Sequence, residues 1–532
     1  MLHPFSILNI FQQCLKCPGK HLFICRSTLK YFMPQYNLST SCAAKYSGMQ
    51  KYPERSTIYS LSYPAVVVMR VSGPEASKVF LKIAKWKKLP EERKAVLCRL
   101  RDPETNELLD KALALWFPSP GSYTGEDMCE LHLHGSKSVI KGVLNALQKL
   151  SHFRSAEPGE FTKRAFMADK LDLTEVEGLA DLLNAETEAQ RRQALRQMDG
   201  GLHKLYTDWT DRVKRCSARL EAFIDFGEDQ HLDESILPSV QKDLEVLKNE
   251  ISAHLQDKRK GEKVRSGVFT VIIGRPNVGK STLMNYLCQK EVAIVSPIAG
   301  TTRDTLEFSL NISGYMVNFC DTAGIRETSD TIEQEGVKRA KERSSKADML
   351  LFILEAKRTL EMLSLNNVPN TKEFIHKLLS EELGESYLQS IVANQHEESN
   401  ANTLILLNKI DLLSEEELMK VKQLEEKYSS ICAVSCIDGT GMQKFMNVLS
   451  ERIKELCCGH AGELPTITQE RHRVCVKNCL QDLIEFDECI KLDIAIAADK
   501  LRHAMNELGK ITGRIRINDI LDVIFKDFCI GK

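Results

Sequence analysis

The stretch GVFTVIIGRPNVGKSTLMNYL, which begins at Gly267, constrains this chain more than any other. Val268–Ile273 is an apolar, β-branched run of strand length. G-x-x-x-x-G-K-S follows from Gly274 to Ser281, and an amphipathic helical pattern comes next. A polyphosphate needs several backbone N–H groups converging on it, and glycines let a loop wrap that closely. The pattern therefore predicts a strand, a phosphate loop and a helix in that order. Lys280 is expected to reach the β- and γ-phosphates and the Ser281 hydroxyl to ligate Mg²⁺. Asn277, Val278, Gly279 and Thr282 complete the expected phosphate contacts.

The base is selected further along. TLILLNKIDLL reads as a buried strand ending in Asn408-Lys409-Ile410-Asp411. An aspartate can accept two hydrogen bonds from the N1–H and 2-amino group of guanine, whereas adenine offers neither donor, so unpaired buried groups enforce the choice. Ser435-Cys436, in AVSC, stands where many GTPases carry Ser-Ala. Together these motifs make GTP the expected ligand. Two segments between them have the order of a switch. In IAGTTRDTLEF, Thr301 and Thr302 are candidates for the nucleotide, with Thr302 completing the Mg²⁺ shell. In VNFCDTAGIRE, a strand brings Asp321 toward the metal and Gly324 can donate its N–H to the γ-phosphate. Ile325 then occupies the place of a water-orienting Gln. Hydrolysis must be absent or supplied by another group, such as an acid in TIEQEGVKRAKE (Glu333 or Glu335) or a monovalent cation in place of an arginine finger. A solvated helix face is the plainer reading of either glutamate taken alone.

At 532 residues the chain is too long for one core, and two to four domains are expected. Hydrophobic residues at 43% and charged residues at 27% fit an ordinary globular protein, and no run of 18 apolar residues suggests a membrane span. The formal charge of −1 conceals an asymmetry. Residues 1–53 hold six basic residues and no Asp or Glu, leaving 66 basic against 73 acidic in the remainder. Any nucleic-acid contact must then be a local basic patch. The acid-free leader, with Ser/Thr and lysine-interrupted apolar segments, reads as a mitochondrial transit peptide over 1–50. The 17 cysteines are scattered, and the lone C-x-x-C, Cys14 and Cys17, has no second pair, so most are expected to act as small buried hydrophobes.

Around the nucleotide motifs, residues 55–168 read as a small α+β domain, with AVVVMRVSG, ALALWFP and MCELHLHG strand-like and SKSVIKGVLNALQKL helical. His132 and His134 share one strand face there, but no third ligand has a recognisable metal spacing. From PGEF to AFIDF the periodicity is helical and only a Gly pair breaks it, which predicts long helices. Helical patterns resume after CCGHAGELPTI. An α/β P-loop GTPase domain of the Ras-like kind, at 266–456, is therefore expected as an insertion into one helical domain formed by 169–265 and 457–532. Residues 357–402 read as a polar surface excursion within it. The Arg191, Arg192, Arg196 cluster is a candidate RNA contact, though pairing with Glu188 explains it as well.

YTGEDMCELHLHG, PGEFTKRAFMADKLDLTEVEGLADL, GRPNVGKSTLMN, AIVSPIAGTTRD, DTAGIRE and the terminal FCIGK together resemble the MnmE/TrmE tRNA modification GTPases in their mitochondrial form, over roughly residues 56–532. The resemblance implies a mitochondrial matrix homodimer that works with an FAD-dependent partner subunit on carbon 5 of the wobble uridine of mitochondrial tRNA, yielding taurinomethyluridine. It implies a tetrahydrofolate one-carbon donor, 5-formyl or 5,10-methylene, held by Arg70, Glu130, Lys170 and Lys532. It implies K⁺ held by Asn277 and by Ser296, Ile298 and Thr301 of the SPIAGT loop, and a catalytic Glu333. Two departures stand out. SLSYPAVVV lacks the family's glycine-rich stretch, and Pro297 replaces a common acidic residue. The ending DFCIGK fails as a prenylation box. It reads instead as a docked tail carrying Lys532 to the folate of a facing N-terminal domain, with Cys529 packed or participating near the one-carbon unit. The alternatives are an Era/Der-like ribosome-assembly GTPase, which would need a KH-type domain, and a GTP-dependent scaffold without chemistry of its own.

Overall fold

The computed structural model describes residues 57–62, 65–226, 236–290, 293–294, 307–321, 347–363, 380, 402–458, 465–515 and the C-terminal positions Leu521, Ile524, Phe525 and Phe528. At 57–62, 226, 290, 293–294, 307, 321 and 363 it describes the backbone alone.

Alternation fixes the N-terminal sheet. In β2 (Val66–Ser72), Val67, Met69 and Val71 point inward, and in β5 (Met128–His134), Cys129, Leu131 and Leu133 do the same. Arg70, Glu130 and His132 consequently face the other way. With β1 (Thr57–Ser62), β3 (Val96–Arg101), β4 (Leu108–Phe117) and β6 (Phe153–Ser155), these strands form a six-stranded sheet in the order β3-β4-β5-β2-β1-β6. Helix α1 (Lys137–Gln148) starts where the Ser136 side chain accepts the Val139 N–H, and it buries Ile140, Val143 and Leu147 over the inner face.

The helical run after PGEF is not two long helices but four. α2 (Glu160–Met167), α3 (Leu173–Asn184), α4 (Glu188–Met198) and α5 (Gly201–Phe226) are separated at the expected Gly pair and at two further places. Capping boxes cause the extra breaks. Asp172 pairs with Glu175 and Thr187 with Gln190, each satisfying orphan N–H groups that a continuous helix would not expose. α6 (Ile236–Leu255) and the short α7 (Lys260–Ser266) lead into the nucleotide domain. Beyond that domain, α12 (Glu470–Cys489) and α13 (Ile494–Thr512) return to pack on α5 and α6. One apolar core joins Tyr206, Trp209, Leu244 and Ile251 from before the insertion to Val476, Leu483, Leu501 and Leu508 from after it.

Between them lies a seven-stranded sheet in the order β13-β12-β11-β7-β10-β9-β8. Its strands are β7 (Val268–Ile273), β8 (Ala293–Ile294), β9 (Glu307–Ile312), β10 (Tyr315–Asp321), β11 (Met349–Glu355), β12 (Thr403–Asn408) and β13 (Ile431–Ala433). Its helices are α8 (Lys280–Lys290), α9 (Ala356–Leu363), α10 (Glu415–Lys427) and α11 (Met442–Cys457). β7, β10, β11, β12 and β13 run parallel, and β7, β11 and β12 read as near-continuous apolar runs because both faces are covered.

Three consecutive α12 residues close the frame around this insertion. Arg471 Nε donates to Glu177 of α3 at 2.5 Å and His472 Nε2 lies 2.8 Å from the same carboxylate. Arg473 donates to Glu262 of α7 at 2.6 Å, to Asp257 at 2.7 Å and to the Leu255 carbonyl at 3.1 Å. Nearby, the Tyr206 hydroxyl is 3.2 Å from His254 Nε2. Burial pushes His254 down to about 4 and His472 down as well, so both are neutral at pH 7. Their folded-state values lie below the unfolded value, so stability is complete above pH 6.5 and declines as pH falls. His254 alone should remove about 2 kcal/mol between pH 7 and 5. Urea midpoints at the two pH values check this, and a His254→Gln variant with the same pH dependence would refute it.

Candidate functional site

The nucleotide site is assembled at the carboxyl ends of β7, β11 and β12, where a doubly wound sheet leaves its crevice. The loop Gly274–Ser281 closes tightly because Asn277 has φ 62° and Gly279 has φ 104°. A Cβ on Gly274 would lie 2.5 Å from the Ile353 carbonyl oxygen, so this glycine lets the loop rest on β11. Lys280, almost fully buried, donates to the carbonyls of Gly274 and Arg275 at 2.7 Å each and so lies across the loop. Val278 is buried beneath it, while Asn277, Ser281 and Thr282 are exposed at the amino end of α8, where the helix dipole favours an anion.

Asn408 ties the two halves of the site together. Its Nδ2 donates to the Val278 carbonyl at 2.7 Å and its Oδ1 accepts the Cys436 N–H at 3.1 Å, all in a buried setting. Lys409 adopts φ 65° and reaches Glu355 Oε2 at 3.3 Å. Asp411 is exposed toward the Ser435-Cys436 loop. Burial, followed by the charge of Asp411, pushes the Cys436 thiol up to about 11, which makes it an inert packing group. Ser435 is fully buried, its N–H donating to the Thr440 carbonyl at 2.9 Å. The backbone of β10 brings Asp321 into register with Ile272, just before the phosphate loop. Ser296, Ile298, Thr301, Thr302, Gly324 and Glu333 lie outside the described residues, as do the 1–50 leader and most of 357–402.

A second polar cluster occupies the outer face of the N-terminal sheet. Arg70 and Glu130 are direct cross-strand partners, with Arg70 Nε donating to Glu130 Oε1 at 2.9 Å. Tyr123 borders them. Its phenol is raised by burial and lowered in part by the Thr162 hydroxyl, at 3.0 Å, and by the Arg70 charge. Gly125, at φ 77°, permits the approach of the 168–170 turn, and a Cβ there would meet Lys170 Cε at 3.6 Å. Arg70, Glu130 and Lys170 thus border one loop, Ser122–Glu126. His134 is held by Asp110 at 2.7 Å. Arg191 and Arg192 both pair with Glu188, at 2.8 and 2.7 Å.

The C-terminal segment docks on the same region. Leu521, Phe525 and Phe528 are buried with Phe166, Leu173 and Val176 of α2 and α3. Gly159, at φ 69°, admits the Phe525 carbonyl, which would lie 2.3 Å from a Cβ. The surface that receives Phe528 therefore belongs to this same chain. Cys529 and Lys532 lie outside the described residues. Sequence reasoning missed Glu355, Ile353, Tyr123 and Thr162, whose roles depend on neighbours distant in the chain and leave no local signal.

A phosphate loop braced by the asparagine of an N-K-x-D loop on a Ras-like sheet defines a P-loop GTPase. The model of the MnmE helical domain matches residues 173–529, and that of the GTP-binding protein TrmE N-terminus matches 57–170. The chain belongs to the MnmE/TrmE family of tRNA modification GTPases. It is 45% identical over 488 residues to the protein named 5-taurinomethyluridine-tRNA synthase subunit GTPB3, mitochondrial, of Danio rerio, covering 90% of this chain and 94% of that one. The Homo sapiens protein of the same name is 41% identical over 92% of this chain and 96% of its own. The tRNA modification GTPase MnmE of Parvibaculum lavamentivorans is 42% identical over 90% of this chain and its full length. Among the described residues, no helix is long and apolar enough to cross a membrane.

Proposed function

We propose that this chain is the GTP-hydrolysing subunit of the complex that modifies carbon 5 of the wobble uridine in mitochondrial tRNAs, giving taurinomethyluridine. The observation that carries this reading is the span of the likeness. Relatives whose names state that synthase activity match nine-tenths of the chain, N-terminal and helical parts included. Their names also call them mitochondrial, which agrees with the acid-free leader.

The residues fit the groups this activity requires. The exposed amino end of α8 and Lys280 suit a triphosphate, and Ser281, with Thr302, is the proposed source of hard oxygen donors for Mg²⁺. Asp411, beside the loop that Asn408 anchors, suits guanine. On binding, Lys280 would exchange two loop carbonyls for phosphate oxygens. Asn277 is exposed on the loop, and with Ser296, Ile298 and Thr301 it is the proposed K⁺ ligand set, where the ion would supply positive charge at the phosphates. Glu333 is the proposed catalytic glutamate that orients the attacking water, since Ile325 cannot. Arg70, Glu130 and Lys170 offer a carboxylate and cations for a tetrahydrofolate, and Lys532 and Cys529 are the tail residues proposed to act with them. A homodimer and an FAD-dependent subunit complete the proposed assembly.

Mass spectrometry of mitochondrial tRNA from cells lacking the chain tests the reading, and an unchanged wobble uridine would refute it. Deleting Cys529–Lys532 should abolish the modification while GTP hydrolysis persists. Equal loss of both would count against the tail's role.

A further inference from the structure

We propose that the lysine-rich margin of the N-terminal sheet, residues 82–101 together with Lys111, is the surface that grips the phosphate backbone of the RNA substrate. The inference rests on the tRNA-modifying reading and assigns it a place on the molecule. Residues 81–101 hold eight basic residues against two acidic ones, in a chain whose overall charge is −1. One of those two acids, Glu91, is spent locally on Lys94 at 2.9 Å.

The fold gathers this segment at the outer edge of the sheet. β3 is the terminal strand, and its Arg99 is the direct cross-strand partner of Lys111 on β4. Like charges opposed in that way destabilise a sheet by up to about 1 kcal/mol. Neither side chain has an ion-pair partner among the described residues, and neither do Lys82, Lys87 and Lys88. Lys85 donates to the Pro103 carbonyl at 3.3 Å, which ties the lysine-rich segment to the β3–β4 turn. Trp86 anchors that segment from below, its ring 5.7 Å from Phe80, which in turn meets Trp116 of β4 at 5.8 Å. Two of the three acids of the turn are already occupied, since Asp102 and Glu104 both pair with Lys149 at 2.9 and 2.8 Å.

What remains is a row of exposed cations on a rigid base, without ion-pair partners among the described residues. A polyanion with regularly spaced charges supplies the counter-charge, and RNA phosphates need no pocket, only such a row. The Glu188-paired arginines of α4 lack this property.

The test uses the full chain and an unmodified mitochondrial tRNA transcript, with affinity read by fluorescence anisotropy from 50 to 200 mM salt. Two variants are compared with the unaltered protein, Lys82→Gln/Lys87→Gln/Lys88→Gln and Arg99→Gln/Lys111→Gln. Each should weaken binding about tenfold or more and lower the slope of log affinity against log salt by about one per contact removed. GTP hydrolysis should be unchanged, and the second variant should melt no lower than the unaltered protein because a repulsion has been removed. Affinity within twofold and an unchanged slope would overturn the surface. So would intact RNA binding with weakened assembly with the FAD-dependent subunit, which would make it a protein-docking face. If the unaltered protein bound no tRNA at all, the tRNA-modifying reading would fall and the surface with it.

Discussion

Replacing Gly279 with alanine should abolish nucleotide binding while leaving the helical and N-terminal parts folded. The residue sits at φ 104°, where side-chain-bearing residues are strained by about 1–3 kcal/mol. A Cβ built there lies 2.1 Å from Asn408 Nδ2. That atom cannot swing aside cheaply, because it is buried and donates to the Val278 carbonyl, while its amide partner Oδ1 holds the Cys436 N–H. Displacing it unpairs buried polar groups at about 1–3 kcal/mol more. Together these strains correspond to a loss of roughly 100-fold or more in GTP affinity. Titration with a fluorescent guanine nucleotide measures it, with circular dichroism confirming the fold. Affinity within threefold of the unaltered protein would contradict the argument.

Glu177→Ala should be the most damaging substitution outside the nucleotide site. Burial alone would raise this carboxyl, but His472 and the Arg471 guanidinium together hold it well below the usual carboxylate range. Removing it leaves Arg471 with the Lys510 and Ile511 carbonyls but no counter-charge, and His472, fully buried, with neither ring nitrogen partnered, among the described residues. Breaking such a pair from one side costs about 3–5 kcal/mol. α3 also carries the apolar surface for Leu521, Phe525 and Phe528, so the C-terminal segment should loosen as well. Urea unfolding and hydrogen exchange at α12 and α3 check this. A fall in stability below about 1 kcal/mol would show that water solvates the stranded cation.

The nucleotide motifs were legible in the sequence because each is a short segment whose spacing carries its chemistry. Gly274 to Ser281 needs its glycines for backbone approach, and Asn408 to Asp411 needs its order for the base. The α+β alternation of Val67, Met69 and Val71 was legible for the same reason, since period two is a local property. Helix boundaries were harder. The breaks at Asp172 and Thr187 lie inside an unbroken apolar periodicity, and two capping boxes outweigh it there. The reading of the Arg191 and Arg192 pair as helical partners of Glu188 agrees with the structure, because an i,i+3 and i,i+4 relation is visible in one dimension.

Contacts made across the chain were not legible. Glu177 and Arg471 are separated by 294 positions, and nothing in either neighbourhood announces the other. Asn408 is recognisable as a guanine-motif residue, but its grip on Val278 depends on β11 and β12 ending side by side, with Glu355 in register with Asn408. Nothing in the sequence links Arg99 to Lys111, which antiparallel pairing sets opposite each other. By itself, the sequence determined the nucleotide and the P-loop GTPase class, because those reside in residue types at short spacing. Only the tertiary structure decided which buried charges hold the helical frame closed and where unpaired positive charge collects, because burial and pairing are set by distance in space.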